Sequence, residues 1–158
     1  ATKRLAKIPG IASVSPSLRT NATIDSIISV VVGKAKKILS PGMTFAIRTT
    51  RVGKHLFSSR DVNVSAGSAV LAEVNGVHVN LSRPECRIFI EIRGMDAYVF
   101  TKTVDGVDGL PVGTQGCVVA LFSGSLNSSV SSYLTMKRGC VLHPIFFDPR
   151  PHADAQRR

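Results

Sequence analysis

LPVGTQGCVVALFSGSLNS, Leu110–Ser128, sets a turn-rich linker, an apolar strand and a Gly/Ser loop in immediate succession. Val118–Phe122 contains no polar residue, the pattern of a strand covered on both faces by helices, and so predicts a parallel sheet. Downstream, Ser129–Arg138 reads as a helix with Val130, Tyr133, Leu134 and Met136 as its apolar positions and Gly139 as its C-cap, and Val141–Phe147 reads as a second apolar strand. The three form one βαβ unit. One such unit covers too little of its own sheet, so it is expected to pack on the preceding module, to pair with another copy, or to belong to a longer polypeptide. The polar tail at 148–158 is expected to be disordered.

Working back towards the N-terminus, Asp105–Gly109 opens a linker that runs to residue 116. Before it, Ile24, Ile27, Ile28, Val31, Ala35, Ile38 and Leu39 recur at three- and four-residue spacing until Ser40-Pro41-Gly42, which predicts an amphipathic helix. Alternation over Met43–Arg51 predicts a half-buried strand. Ser58 is placed to cap a second helix with Asp61 in its first turn and Val62, Ala66, Ala69 and Val70 as its apolar face. Val77–Leu81 and Cys86–Arg93 read as strands, the latter with Ile88, Ile90 and Ile92 on one face, and Gly94-Met95-Asp96 turns it into a hairpin with Ala97–Thr101. Residues 5–20, broken by Pro9, Gly10 and Pro16, read as one extended strand with turns around it. The expected fold class is therefore α/β: a module over 21–104 with a mixed sheet, a linker over 105–116 and one parallel βαβ unit over 117–147.

Charge separates these parts. Residues 1–60 hold eleven Lys/Arg against Asp25 alone, whereas the other 98 residues hold nine of each sign, so the whole formal charge of +10 lies in the first part. One-sided positive charge selects a polyanion, and nucleic acid fits better than a membrane surface because no basic helix with aromatic anchors is present. Lys34, Lys36 and Lys37 fall in the last turns of the first helix, where they serve either the helix dipole or phosphate contact. No apolar run approaches the roughly 20 residues that span a bilayer, and the basic start lacks the apolar core of a secretory signal, so a cytoplasmic protein without a membrane partner is expected. Cys86, Cys117 and Cys140 are odd in number and lack metal-ligand spacing, so no disulfide framework and no metal site are expected, only small buried thiols. His78 and His143, in apolar strands, are expected as core or edge histidines.

The loop Ser123-Gly124-Ser125-Leu126-Asn127-Ser128 precedes a helix N-terminus, where N–H groups and the dipole can hold a phosphate, but no GK[ST] follows it and it is not a Walker A loop. Taken with its neighbours it says more. LPVGTQG, the apolar strand, SGSLNSS, SSYLTMKRG (Ser131–Gly139) and HPIFF (His143–Phe147) resemble, in order and spacing, the corresponding junction of the tRNA 4-thiouridine synthetases, tRNA sulfurtransferases that also supply sulfur for thiamine synthesis. TFAIRTTRVGKHLFSS (Thr44–Ser59), VHVNLSRPE (Val77–Glu85) and IEIRGMDAYVFT (Ile90–Thr101) resemble the THUMP domain, an RNA-binding module of tRNA-modifying enzymes.

That resemblance implies a THUMP domain over 21–104, a remnant of an N-terminal ferredoxin-like domain over 1–20, and the start of a PP-loop domain. In the family the SGG-x-D-S loop holds the phosphates of ATP with magnesium. Here Ser123, Gly124 and Ser128 match, while Ser125 and Asn127 replace the second glycine and the aspartate. The same resemblance puts the adenine-side positions on Leu121, Phe122, Phe146 and Phe147. For RNA it implies a grip on the acceptor region of tRNA through Arg48, Arg51, Lys54, His55, Ser58 and Ser59, with Lys3, Arg4 and Lys7 extending the patch. The expected function is tRNA binding in 4-thiouridine modification, with no catalytic residue in this chain. An ATP-binding fragment of an active sulfurtransferase and a stand-alone RNA-binding accessory are the alternatives. The resemblance further implies a sulfur-donor protein acting on a longer enzyme, while the uncovered parallel strands themselves suggest a homodimer.

Overall fold

A computed structural model describes residues 1–148; most of the polar tail lies outside the described residues. The chain divides into two compact units, Ser15–Thr103 and a second built from Ala1–Val14 with the chain from Val104 onward.

The Ser15–Thr103 unit is a five-stranded mixed sheet with two helices on one face. Its elements are β2 (Leu18–Asn21), α2 (Ile24–Ile38), β3 (Thr44–Val52), α3 (Ser59–Glu73), β4 (His78–Val79), β5 (Cys86–Arg93) and β6 (Asp96–Phe100), in spatial order β2-β6-β5-β3-β4. β3 runs parallel to both neighbours; β5, β6 and β2 are antiparallel in turn. The predicted alternation holds on β5, where Ile88, Ile90 and Ile92 are essentially fully buried. They meet Ile27, Val31 and Ala35 of α2 and Val62, Ala66 and Val70 of α3 in one core, which Phe45, Ile47, Ala97 and Val99 complete.

Local chemistry fixes the ends of these elements. Thr23 caps α2 through Ser26 N–H. Ser58 and Asp61 form a reciprocal capping box on α3, with Asp61 N–H donating to Ser58 Oγ at 3.2 Å and Ser58 N–H donating to the Asp61 carboxylate at 2.8 Å. The hairpin turn has Gly94 at φ 57°, a conformation that glycine adopts without a Cβ penalty. The expected strand over Val77–Leu81 is only two residues long, because Asn80 turns the chain by accepting from Ser82 and Arg83 N–H. Residues 5–20 are not one strand: Pro16 separates β1 (Ser13–Val14) from β2, and β1 pairs in the other unit.

The second unit contains α1 (Thr2–Leu5), β1, β7 (Val104–Asp105), β8 (Cys117–Leu121), α4 (Leu126–Lys137) and β9 (Val141–Ile145). β1 and β7 make a short antiparallel pair, and β8 and β9 make the predicted parallel pair, Cys117 opposite Val141. The segment expected as a linker is hydrogen-bonded: Leu110 N–H donates to Lys137 O at 2.9 Å, and Gly113 and Gln115 N–H both donate to Gly139 O. Helix α4 begins three residues before the predicted start because Ser125 caps it, accepting from Ser128 N–H.

Two expectations fail in this unit for one reason. Val119 is 64% exposed and Leu121 70%, so the apolar strand is not covered on both faces, and Cys117 is exposed instead of buried. One helix over a two-stranded sheet shields one face at most, which leaves apolar strand residues in water. Cys86 and Cys140 are partly buried, and all three thiols are free.

Gly106 makes the closest approach in the unit: a Cβ there would lie 2.0 Å from Ile11 O. Replacing Gly106 by Ala is expected to force β1 and β7 apart and cost roughly 1–3 kcal/mol, as overpacking does elsewhere. Hydrogen exchange at Gly106 and Asp108, which donate to Ala12 O and Ile11 O, should then accelerate while the Ser15–Thr103 core is unchanged.

Candidate nucleic-acid interface

The RNA-contact candidates divide by strand alternation. Arg51 opposes Ile92 and shares its face, whereas Arg48 opposes Phe89 on the other face. Asp61 in the first turn of α3 feels the charge of Arg51, whereas Arg48 donates to Leu81 O at 2.5 Å and lines a cleft with Arg60 and Asn63 on the flank of α3. Gly53, at φ 102°, ends the strand and begins the 53–57 loop, which carries exposed Lys54 and half-buried His55 to the helix cap at Ser58.

His55 orients this loop. Its Nε2 lies 2.7 Å from Gly94 O, which fixes the tautomer with the proton on Nε2, and its ring lies 5.4 Å from that of Phe57. His55 is thus a structural brace for Lys54. Ser58 is likewise engaged as the cap and does not offer a free hydroxyl, whereas the N–H groups of Ser59 and Arg60, in the first turn, have no intrahelical acceptor. Two N–H groups without an intrahelical acceptor and the helix dipole give this helix start the positive polarity that suits an anion, and Arg51, Lys54 and Arg60 are the cations of the strand end, loop and first turn that lead through it. Arg60 was missed in the sequence; its place directly after the Ser58 cap was the available signal.

Asp61 is the opposing charge. Its hydrogen bonds from the Ser58 backbone and hydroxyl, then Arg60 and Arg51, hold its carboxyl below the ordinary range. A depressed pKa contributes stability that is present above the unfolded value and is lost as pH falls through the folded one. Acidification below about pH 4 should therefore loosen the start of α3. Ser58→Ala should lower stability by about 1 kcal/mol and flatten that acid dependence, read by helical circular dichroism from pH 2 to 6.

Lys3 and Arg4 are exposed on α1 and Lys7 follows it, in the unit that does not contain the α3 cap. His78 and His143 are exposed on edge strands, and no cluster of metal-binding residues occurs among the described residues.

The nucleotide candidates lie in the Val104-onward unit. Ser123 Oγ is 2.9 Å from Ser125 Oγ, and Ser128 and Ser129 hydroxyls donate to Ser125 O at 2.9 and 3.0 Å. The hydroxyls satisfy one another around Gly124, at φ 76°, and the unclaimed N–H groups of the first turn are those of Leu126 and Asn127. Leu121, Phe122, Ser123 and Phe147 meet around a cavity of about 100 Å³, together with Ile145, which the sequence reading did not include; Phe146 lies outside it. That is below the roughly 300 Å³ of ordinary ligand pockets.

Comparison with known proteins places both units. The THUMP domain family matches residues 21–102, and the family "Thiamine biosynthesis protein (ThiI)" matches residues 113–158. A probable tRNA sulfurtransferase of Methanosarcina mazei is 43% identical over 94% of this chain and 38% of its own length. That of Methanothermobacter thermautotrophicus is 41% identical over 96% of this chain and 40% of its own. The chain thus spans about two fifths of these curated relatives. Among solved structures, a Pyrococcus horikoshii protein superposes with a TM-score of 0.81 at 26% identity, covering 92% of this chain and 50% of that one. A 4-thiouridine synthetase in complex with RNA and bound ATP superposes with a TM-score of 0.73 at 26% identity, covering 94% and 39%.

Proposed function

The chain belongs to the THUMP domain family, and we propose that it binds tRNA at its acceptor region in the course of 4-thiouridine modification. The observation that carries this reading is the start of α3, whose first N–H groups have no partner in the helix and which Arg51, Lys54 and Arg60 flank along the chain, Arg51 and Arg60 close enough for their charge to act on Asp61. Such a site contacts phosphate and reads shape, not base identity. The relatives named as tRNA sulfurtransferases and the neighbour solved with RNA support the choice of polyanion. Binding of unmodified tRNA, followed between 50 and 300 mM salt, tests it: log affinity should fall linearly with log salt, and a salt-independent affinity would dismiss the site.

ATP is the second reading, favoured by the match to the thiamine-biosynthesis family and the neighbour's bound ATP. Leu126 and Asn127 N–H would hold a phosphate, and ATP would supply the adenylyl group that activates the uridine carbonyl oxygen. The fit is partial: Ser125 fills the place of a glycine, Asn127 lacks the carboxylate that would help hold magnesium, and the cavity beside Phe122 admits less than an adenine pocket needs. Titration calorimetry with this chain should show at most millimolar affinity, unchanged by magnesium. Micromolar, magnesium-dependent binding would mean that the loop works as its unaltered relatives do. The sulfurtransferase resemblance supports a sulfur-donor protein as a further partner, and the exposed Val119 and Leu121 of β8 support a paired second copy.

A further inference from the structure

Beside the edge strand β4 lies a groove with its own chemistry. α3 walls it on one side through Val64, Gly67 and Leu71, and the sheet walls it on the other through Ile47, Val79 and Leu81, with about 390 Å³ between them. Val64, Leu71, Val79 and Leu81 are all exposed. Glycine is a weak helix former, and a Cβ added at Gly67 would meet nothing within 4 Å, so no packing contact calls for glycine there and its missing side chain keeps the groove open. The ionic residues of the groove are Arg48 and Arg60; among the described residues no acid lines it and neither arginine is in an ion pair. Arg48 gives one N–H to Leu81 O, a neutral acceptor that leaves the guanidinium its charge and its other donors. Asp61 is held in the Ser58 capping box and answers Arg51 as well as Arg60, so this end of the groove stays positive.

Backbone pairing decides the class of occupant. In a parallel ladder alternate residues turn their N–H and C=O to opposite sides. His78 and Asn80 N–H donate inward to Met43 O and Phe45 O, so Val79 turns its N–H and C=O outward, where the sheet has no further strand. An open strand edge beside an apolar groove with a helix for its far wall is what an extended peptide uses when it adds a strand to a sheet, its main chain on the edge and its alternate side chains in pockets. Arg60 lies in the first turn of α3 and Leu71 in the last, so the charge sits at one end; about 16 Å of helix separates them, the length of about five strand residues. RNA bases stack on rings, whereas these walls are mainly aliphatic and Phe45, the ring that lines the groove, is fully buried. A second copy does not match either, because the other edge of the sheet, β2, reads Leu-Arg-Thr-Asn and offers no acid to the arginines. We infer that the α3–β4 groove docks an extended segment of a partner protein, which adds a strand to β4, sets an apolar side chain against α3 and places a carboxylate two residues along on Arg48 and Arg60.

A fluorescein-labelled eight-residue peptide tests this, with threonine at odd positions and valine and glutamate taking turns at even ones, so that valine and glutamate share one face. Its anisotropy should saturate on titration with the protein. Exchanging its glutamates for glutamine should weaken binding about tenfold, the loss of a charge-assisted contact. N-methylation at the odd or at the even positions should give opposite results, one set abolishing binding and the other tolerated, because one edge of the peptide meets β4. Gly67→Leu, which fills the groove from the helix side, should cost about tenfold or more in peptide affinity and leave tRNA affinity and the melting temperature as they are. If Gly67→Leu lowers the melting temperature, Val64→Glu, at an exposed position of the same wall, takes its place. No saturation at millimolar protein, equal binding of the two methylated peptides, or unchanged affinity in the filled groove would overturn the site. A single-stranded 12-nucleotide RNA whose own binding falls in Gly67→Leu would overturn it in favour of RNA, and a dimer that Gly67→Leu dissolves would overturn it in favour of a second copy.

Discussion

Arg51→Glu/Lys54→Glu should reduce tRNA affinity by about 10²–10⁴-fold and lower the salt slope by roughly 2. Each of these cations supplies a charge-assisted hydrogen bond of about 1.5–3 kcal/mol, and each phosphate contact adds about one to the slope. The reversed charges would also stand beside Asp61, turning a site with one acid into one with three. Arg51 is half-buried, so the neutral pair Arg51→Gln/Lys54→Gln separates charge from folding: it should keep the melting curve and lose about one unit of slope per contact. Arg48→Gln, whose guanidinium is already held by Leu81 O, should cost less than the change at Arg51 or Lys54. Equal loss for Arg48 and Arg51 variants would mean that a diffuse positive charge, not the helix start, attracts the RNA.

That test depends on which arginines the sequence could sort. Alternation through Ile88, Ile90 and Ile92 was readable because the core face is continuous there, and the Ser58–Asp61 box was readable because its spacing is local. Arg48 and Arg51 looked equivalent, since charge is visible in a sequence and the side of a strand is visible only once its register is known. Arg60 was overlooked because it follows the cap instead of preceding it. The Phe89–Phe100 stack was hidden for a related reason: the two rings are eleven positions apart and meet only through the hairpin register. In the βαβ unit the elements were legible and their cover was not, because an apolar strand states what it needs without stating whether the partner is present. Val119 and Leu121, predicted as buried from an unbroken apolar run, are exposed.

Phe45→Ala should be the most damaging single change to the Ser15–Thr103 unit. Phe45 is fully buried on β3, with Val79 of β4 on one side and Cys86 of β5 on the other, so its ring joins the short edge strand to the sheet centre. Removing a buried Phe side chain costs about 3–5 kcal/mol, a large part of the 5–15 kcal/mol by which ordinary domains are stable. The ring also lines a cleft of about 390 Å³ with Ile47, Val64, Leu71, Val79 and Leu81, so its loss would join the new void to an open cleft and admit water against Ile47. The apolar transfer loss would still be felt in full. Urea unfolding should show a lower midpoint with an unchanged m value, and the melting temperature should fall by more than about 10 °C. Phe45→Leu, which keeps most of the volume, should cost less than half as much, and Leu56→Ala, at a fully exposed loop position, should cost almost nothing. A loss below 1 kcal/mol for Phe45→Ala would mean that the cleft collapses onto the vacancy. Because Arg51 lies six residues farther along the same strand, the weakened variant should also bind tRNA less tightly in proportion to its unfolded fraction, and urea-free binding at low temperature should recover the affinity.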